Sequence, residues 1–247
     1  MVKSLEQVHE ELNVWGFPHH PWEFTLGGTH VTLNPKTLIM TWVVMLLVIL
    51  FTVSATRNMN MKRPGKLQLM VEEIFLFLRG LVFENMDPRK GAGLMSLIFT
   101  LFIFLLFSNL WGLVPTMQSP TADVNTTAGM AIMVFFLVQF MGLRYKGAGH
   151  FKHFLEPFPF FLPLTIVEEL AKPVTLAFRL YGNIYGGEVL IAVLLGLLGL
   201  NTFFFGGFIP SVVWLAFSIF VGFIQAFIFT MLTIAYISQV VQEHHEH

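Results

Sequence analysis

Long uncharged apolar runs alternate with short polar segments along the chain. Thr37–Thr56 contains no charged residue and has the ~20 residues that a helix needs to cross a bilayer. Leu94–Val114 has the same character and ends at Pro115, and Thr126–Leu143 is a shorter run closed by Arg144. These runs predict membrane-crossing helices over 37–56, 94–114 and 126–143, the last two forming a helical hairpin.

Two longer apolar stretches complete the chain. A helix over Phe160–Leu200 would be ~60 Å long at ~1.5 Å per residue, roughly twice the hydrocarbon thickness of a bilayer. It is therefore predicted to be one strongly tilted helix or a helix with a buried bend, and its length leaves both open. A last long helix is predicted over 208–242.

Lys66–Glu84 has a different pattern, in which polar side chains occupy one face of a helix and apolar side chains fill the rest. The polar positions fall within ~160° on a helical wheel: Lys66, Gln68, Glu72, Glu73, Arg79, Gly80 and Glu84. This pattern predicts an amphipathic helix over 66–84 that lies in the membrane interface. The alternative is a helix packed in a soluble domain.

Composition places the whole chain in the membrane class. Of the 247 residues, 55% are hydrophobic and 12% are charged, whereas a soluble domain has about 25% charged residues. The prediction is an all-α integral membrane protein, with about five crossing helices and one interfacial helix, in a single membrane domain over 1–247 that begins with an outer segment over 1–36. The absence of Cys excludes disulfides and thiolate chemistry, and a net charge of −1 gives no reason to expect a nucleic-acid partner.

The distribution of Lys and Arg predicts the orientation. Cytoplasmic loops are enriched in these residues, and ten of them fall on one side of the predicted spans: Arg57, Lys62, Arg63, Lys66, Arg79, Arg89, Lys90, Arg144, Lys146 and Lys152. Lys3 and Lys36 fall on the other side. The N-terminus is therefore predicted outside and the C-terminus inside, although two crossings within 160–200 would move the C-terminus outside.

Arg179 is the principal candidate for function, because a charge at membrane depth costs at least ~2.5–3.5 kcal/mol on insertion scales. At ~100° per residue, one stripe of the helix within ~40° of Arg179 is polar or small: Glu168, Lys172, Thr175, Arg179, Asn183 and Gly186. Arginine stays protonated in proteins, so this side chain is a permanent positive charge.

The chain offers Arg179 no obvious carboxylate partner. Glu168 and Glu169 lie ~15 Å away along the helix, and Glu188 points ~180° away from Arg179. We therefore expect the partner to be a carboxylate of another subunit, a bound anion or a water-filled channel. The alternative is an arginine that snorkels or joins a static ion pair.

Polar residues also share one face of the last helix, namely Ser211, Ser218, Gly222, Gln225 and Tyr236. Gln225 lies at a depth where it could meet Arg179, or it could simply bond to a neighbouring helix. The nine His residues lie outside the predicted spans, and the tail with His244, His245 and His247 could bind a metal or be solvated. No phosphate-binding loop, Ser–His–Asp set or metal-ligand spacing is present in the sequence, so neither a cofactor, a metal nor a catalytic site is predicted.

Two segments, KPVTLAFRLYGNIYGGE and GFIQAFIFTMLTIAYI, resemble subunit a of the F-type rotary ATP synthases in the bacterial and chloroplast branch. The resemblance spans roughly residues 37–243. It implies a stator subunit beside a rotating ring of c subunits, with peripheral-stalk b subunits and the other synthase subunits as further partners. It also implies that 160–200 is one strongly tilted helix.

The resemblance implies roles for individual residues. Arg179 matches the essential arginine that faces the ring carboxylate between two aqueous half-channels. Asn183, Glu188 and Gln225 match positions near that arginine or in the outer half-channel, and Glu168 and Glu169 would suit the inner one. Ser218 stands where some members carry a histidine paired with the glutamate, so here Glu188 would use water or Ser218.

The function expected from the resemblance is conduction of protons, or of Na⁺, between an aqueous phase and the ring in a bacterial plasma membrane or a thylakoid membrane. No catalytic site is expected in this subunit itself. The alternatives are a self-contained anion transporter that uses Arg179 as its substrate site and an assembly scaffold with a static buried arginine.

Overall fold

The computed structural model describes residues 22–26, 29–57, 59–60, 63–114, 117, 119–147, 149, 160, 162–197 and 208–241. Within these ranges it leaves out some side chains, including those of Glu168 and Glu188. The histidine tail and most of the outer segment lie outside the described residues.

A short hairpin precedes the helices. Strands β1 (Trp22–Leu26) and β2 (Thr29–Leu33) pair antiparallel, with Trp22 opposite Leu33. Asn34 then caps the first helix, because its side chain accepts a hydrogen bond from the backbone N–H of Lys36 and a proline occupies the first turn. The hairpin was not predicted from the sequence.

The remaining described elements are helical. They are α1 (Pro35–Thr56), α2 (Lys66–Asn85), the short α3 (Pro88–Ala92), α4 (Met95–Trp111), a 3₁₀ turn (Pro120–Ala122), α5 (Val124–Lys146), α6 (Leu162–Leu197) and α7 (Phe208–Val241). Asp123 caps α5, since its side chain accepts from the Asn125 N–H, and it also accepts from the Thr37 hydroxyl at 2.9 Å. This carboxylate therefore ties the start of α1 to the start of α5.

Within the described residues, three segments are long and apolar enough to cross a membrane, and α4 is a shorter apolar helix. The three are Pro35–Thr56, Val124–Lys146 and Val212–Val241. The predicted fold class, an all-α membrane protein, is confirmed. α6 is a continuous helix of 36 residues with Pro173 inside it, which corresponds to ~54 Å.

The core is formed by buried apolar side chains of all the long helices, and α4 and α7 contribute the most. Phe102 of α4, Leu180 of α6 and Phe229 of α7 are at most 1% exposed. In contrast, Trp42 and Ile49 of α1 are 70% and 58% exposed. Soluble monomers rarely present such wide apolar surfaces, so these outer faces suit lipid.

The polar face of α2 contains one buried member. Gln68 is 7% exposed, and its amide donates to Glu72 at 2.9 Å and accepts from the Asn60 N–H at 3.1 Å. Glu72, Glu73 and Arg79 are exposed. These two hydrogen bonds give both the nitrogen and the oxygen of the buried Gln68 amide a partner.

Candidate functional site

Arg179 lies near the middle of α6, on a face that the rest of the described chain leaves open. Leu176 and Leu180 are 1% and 0% exposed, because they point into the core. Arg179, Thr175 and Asn183 are exposed. The helical stripe predicted from the sequence is therefore the open face of α6 at this level.

A cleft of about 590 Å³ opens beside Arg179. α6 contributes Arg179 and Asn183 to its wall, α7 contributes Ser218 and Gln225, and α4 contributes Asn109. Gly182, Gly186 and Gly187 also line it, and a Cβ atom at any of the three would meet nothing within 4 Å. The absence of side chains at these positions leaves this wall of the cleft open to water or an ion.

Gln225 connects the two long helices inside this cleft. Its side-chain oxygen accepts a hydrogen bond from Nδ2 of Asn183 at 2.8 Å, although Gln225 itself is only 1% exposed. Asn183 follows Arg179 by one helical turn. The structure thus brings Gln225 to the level of Asn183, one helical turn from Arg179.

Two buried polar atoms of the cleft lack a hydrogen-bond partner among the described residues, namely Nε2 of Gln225 and Oγ of Ser218. Leaving a buried donor or acceptor unpaired costs ~1–3 kcal/mol. Water binds inside proteins where the space is polar and large enough, and this cleft meets both conditions. The arrangement can therefore hold water between α6 and α7.

No carboxylate among the described side chains forms an ion pair with Arg179. Among the described side chains of α6, the ion pair is between Lys172 and Glu169. Glu169 also accepts a hydrogen bond from Nε2 of Gln139 at 3.4 Å. Nζ of Lys172 lies 5.7 Å from the ring centroid of Tyr236. These contacts form a separate cluster that joins α5, α6 and α7 away from the cleft.

The structure therefore brings together four of the residues singled out in the sequence: Arg179, Asn183, Ser218 and Gln225. It places Glu169 apart from them. The side chains of Glu168 and Glu188 lie outside the described residues, and only their helical backbone is described. No group of three or more His, Cys, Asp or Glu in the described part of the chain could hold a metal ion.

Sequence reasoning missed Asn109. This side chain is 2% exposed, donates to the backbone carbonyl of Gly222 at 2.9 Å and accepts from the Thr121 hydroxyl at 2.8 Å. The signal that could have found it is an amide within the uncharged run of α4, because polar residues in such a run need partners.

Known proteins match the chain along nearly all of its length. The family model "ATP synthase A chain" matches residues 38–238. A protein named ATP synthase subunit a from Desulforamulus reducens is 50% identical over 248 residues, covering 98% of this chain and 94% of the relative. Proteins with the same name from Lysinibacillus sphaericus and Bacillus subtilis are 40% and 38% identical, covering 87% and 90% of this chain and 95% and 98% of the relatives.

These matches include both segments on which the resemblance was based, and they confirm it. The family model covers the helices that carry Arg179 and Gln225, and the relatives are matched over almost their whole length. The chain belongs to the ATP synthase A chain family.

Proposed function

We propose that the chain is the stator ion-channel subunit of a rotary ATP synthase. In this function it provides two aqueous half-channels to the carboxylates of the c-ring, with Arg179 between them, and couples proton flow to rotation. The observation that carries the proposal is the position of Arg179, on the open face of α6 beside a cleft. The described side chains provide no carboxylate for it, so a partner on another subunit would supply the missing charge.

The chemistry of arginine explains why this residue would suit the task. Its guanidinium does not deprotonate, so it cannot pass a proton directly from one half-channel to the other. A nearby positive charge favours the ionised form of a carboxylate. A ring carboxylate that reaches Arg179 would therefore release its ion there, and the ion could cross only by travelling on the ring.

The cleft would form part of the outer half-channel. Asn183 and Gln225 line it together, and Ser218 presents a buried hydroxyl that has no hydrogen-bond partner among the described residues. Glu188 lies five residues beyond Asn183 in the sequence, and we assign its carboxylate to the same path. With serine at position 218, water or Ser218 would pass protons to Glu188.

We assign Glu168 and Glu169 to the inner half-channel. Glu169 pairs with Lys172 and accepts a hydrogen bond from Gln139, so the proposed inner path would include these contacts. Glu168 is the neighbouring acid on the same stripe as Arg179. In this assignment the N-terminus lies outside a bacterial plasma membrane, the C-terminus lies in the cytoplasm, and the direct partners are the c-ring and the b subunits.

Arg179→Ala in the assembled synthase tests the proposal. Reconstituted into proteoliposomes, the variant complex should lose both ATP synthesis driven by a proton gradient and ATP-driven proton pumping. Arg144→Ala is a matched control, since Arg144 is an exposed arginine at the end of α5, and it should retain both activities. Full coupled activity in Arg179→Ala would refute the proposal, as would anion uptake by the purified chain in liposomes without partner subunits.

A further inference from the structure

We propose that Asn109 is a positioning residue, which holds α7 at the height where Gln225 meets Asn183 and so fixes the shape of the cleft beside Arg179. This role rests on the function proposed above for the cleft. It is supported by a set of buried contacts that join α4, the 3₁₀ turn and α7.

Both the nitrogen and the oxygen of the Asn109 side-chain amide make hydrogen bonds. Its Nδ2 donates to the carbonyl oxygen of Gly222 at 2.9 Å, across 113 residues of sequence, and its Oδ1 accepts from the hydroxyl of Thr121 at 2.8 Å. A carbonyl oxygen has two lone pairs, so Gly222 can accept this bond in addition to the hydrogen bond within its helix. The amide of Asn109 therefore connects the turn after α4 to the backbone of α7.

The contact at Gly222 is also sterically close. A Cβ atom built on Gly222 would lie 3.3 Å from Cβ of Asn109, which is closer than ordinary van der Waals contact. Small residues allow helices in membranes to approach in this way. Because the hydrogen bond and the close approach occur at the same place, sliding or rotating α7 would break both.

This contact lies close to the proposed ion path. Gln225 follows Gly222 by three residues, or ~4.5 Å along the helix, and accepts from Asn183 at 2.8 Å. Asn183 is in turn ~6 Å along α6 from Arg179. The position that Asn109 sets for α7 is thus transmitted through Gln225 and Asn183 to the helix that carries the arginine.

Thr121 holds the Asn109 side chain in place, because its hydroxyl donates to Oδ1 of Asn109. It is 0% exposed in the 3₁₀ turn, and its backbone N–H donates to Oγ of Ser119 at 3.2 Å. Ser119 donates to the Ser108 carbonyl at 2.8 Å, which ties the turn back onto α4. Asn109 lines the cleft but Thr121 does not, so a positioning role can be separated from direct participation of the Asn109 amide in the ion path.

The first readout is geometric. Because the chain contains no cysteine, Asn183→Cys with Gln225→Cys creates one pair whose rate of disulfide formation in the assembled complex reports the approach of α6 and α7. Thr121→Val, added to this pair, should slow disulfide formation about fivefold to tenfold, the effect expected from losing its buried hydrogen bond to Asn109. Asn109→Ala, which loses two hydrogen bonds, and Gly222→Ala, whose added methyl group would lie 3.3 Å from Cβ of Asn109, should slow it at least as much. Thr121→Ser keeps the hydroxyl and should restore the rate.

The second readout is ATP synthesis by proteoliposomes with the natural residues at 183 and 225, normalised to assembled complex. The same variants should slow it by a similar factor. Thr233→Val is the matched control, because among the described residues this buried hydroxyl donates to the Phe229 carbonyl of its own helix, α7, and it should change neither readout. If Asn109→Ala does not assemble, the comparison of Thr121→Val with Thr121→Ser still tests whether the hydrogen bond to Asn109 positions α7.

An unchanged rate of disulfide formation in Thr121→Val and Gly222→Ala would overturn the positioning role. Loss of ATP synthesis in Asn109→Ala alone would also overturn it and indicate a direct role of the amide in the ion path. Disulfide formation does not depend on proton flow, so it tests Asn109 even if Arg179→Ala proves active.

Discussion

Replacing Gln225 with leucine should separate stability from function. Gln225 is 1% exposed, and among the described residues its side chain makes one hydrogen bond, from Nδ2 of Asn183 at 2.8 Å. Its Nε2 has no partner among the described residues. The change to leucine removes the hydrogen bond and, at the same time, the unpaired donor.

The two effects on stability have opposite signs. Losing the hydrogen bond costs ~0.5–1.5 kcal/mol, and removing a buried unsatisfied donor recovers ~1–3 kcal/mol. We therefore expect Gln225→Leu to change the free energy of unfolding by at most about 1 kcal/mol, because water in the cleft would already offset part of the cost of the unpaired donor. The ATP synthesis rate should fall at least ~10-fold, which corresponds to ~1.4 kcal/mol, because the cleft loses the amide of Gln225 on α7 and Asn183 on α6 loses its hydrogen-bond partner.

Stability would be measured by thermal unfolding of the purified chain in detergent, and activity by ATP synthesis per assembled complex in proteoliposomes. Gln68→Leu is the matched control, since its amide is buried and makes two hydrogen bonds far along the chain from the cleft. It should lower stability by ~1–2 kcal/mol and leave activity per complex unchanged. Destabilisation of Gln225→Leu by more than about 1 kcal/mol, or unchanged ATP synthesis in that variant, would refute the reasoning.

Three further predictions follow from the same contacts. Arg179→Lys keeps the charge but loses the planar fork of donors, so ATP synthesis should fall more than ~10-fold; activity close to that of the unmodified complex would show that charge alone suffices. Glu169→Gln should reduce proton-driven ATP synthesis because the proposed inner path loses this carboxylate, and the exchange Glu169→Lys with Lys172→Glu, which keeps an ion pair but moves the carboxylate, should leave the rate low; recovery of the rate in the exchange would show that the pair has only a structural role. Leu180→Ala, at a position 0% exposed, should destabilise the purified chain by ~2–5 kcal/mol through the cavity it creates, and a loss below about 1 kcal/mol in thermal unfolding would contradict the packing described for α6.

Much of the fold follows from the sequence for a simple physical reason. In lipid, the backbone must satisfy its own hydrogen bonds, so a long uncharged run such as Thr37–Thr56 has few alternatives to a helix. The polar stripe containing Arg179 was also visible, because five turns of one helix repeat with a known period. The hairpin over Trp22–Leu26 and Thr29–Leu33 was missed because such short strands give a weak alternating signal.

The contacts of the site were harder to predict. Periodicity gives the face on which Asn183 or Gln225 lies. These two residues are 42 positions apart in sequence, and their hydrogen bond depends on how α6 and α7 are rotated relative to each other. Gln68 was assigned to the polar face of α2, although it is buried. Asn109 was passed over because a single amide hardly changes the hydropathy of an apolar run, while its role depends on partners in the 3₁₀ turn and α7.

In the proposed function, a carboxylate of the ring balances the charge of Arg179. An electron cryo-microscopy map of the assembled synthase would show which group faces the open stripe of α6. We expect a c-subunit carboxylate opposite the guanidinium, with the cleft lined by Gln225 and Ser218 leading to that point. A guanidinium paired with a carboxylate of its own chain, or covered by lipid with the ring elsewhere, would contradict this expectation.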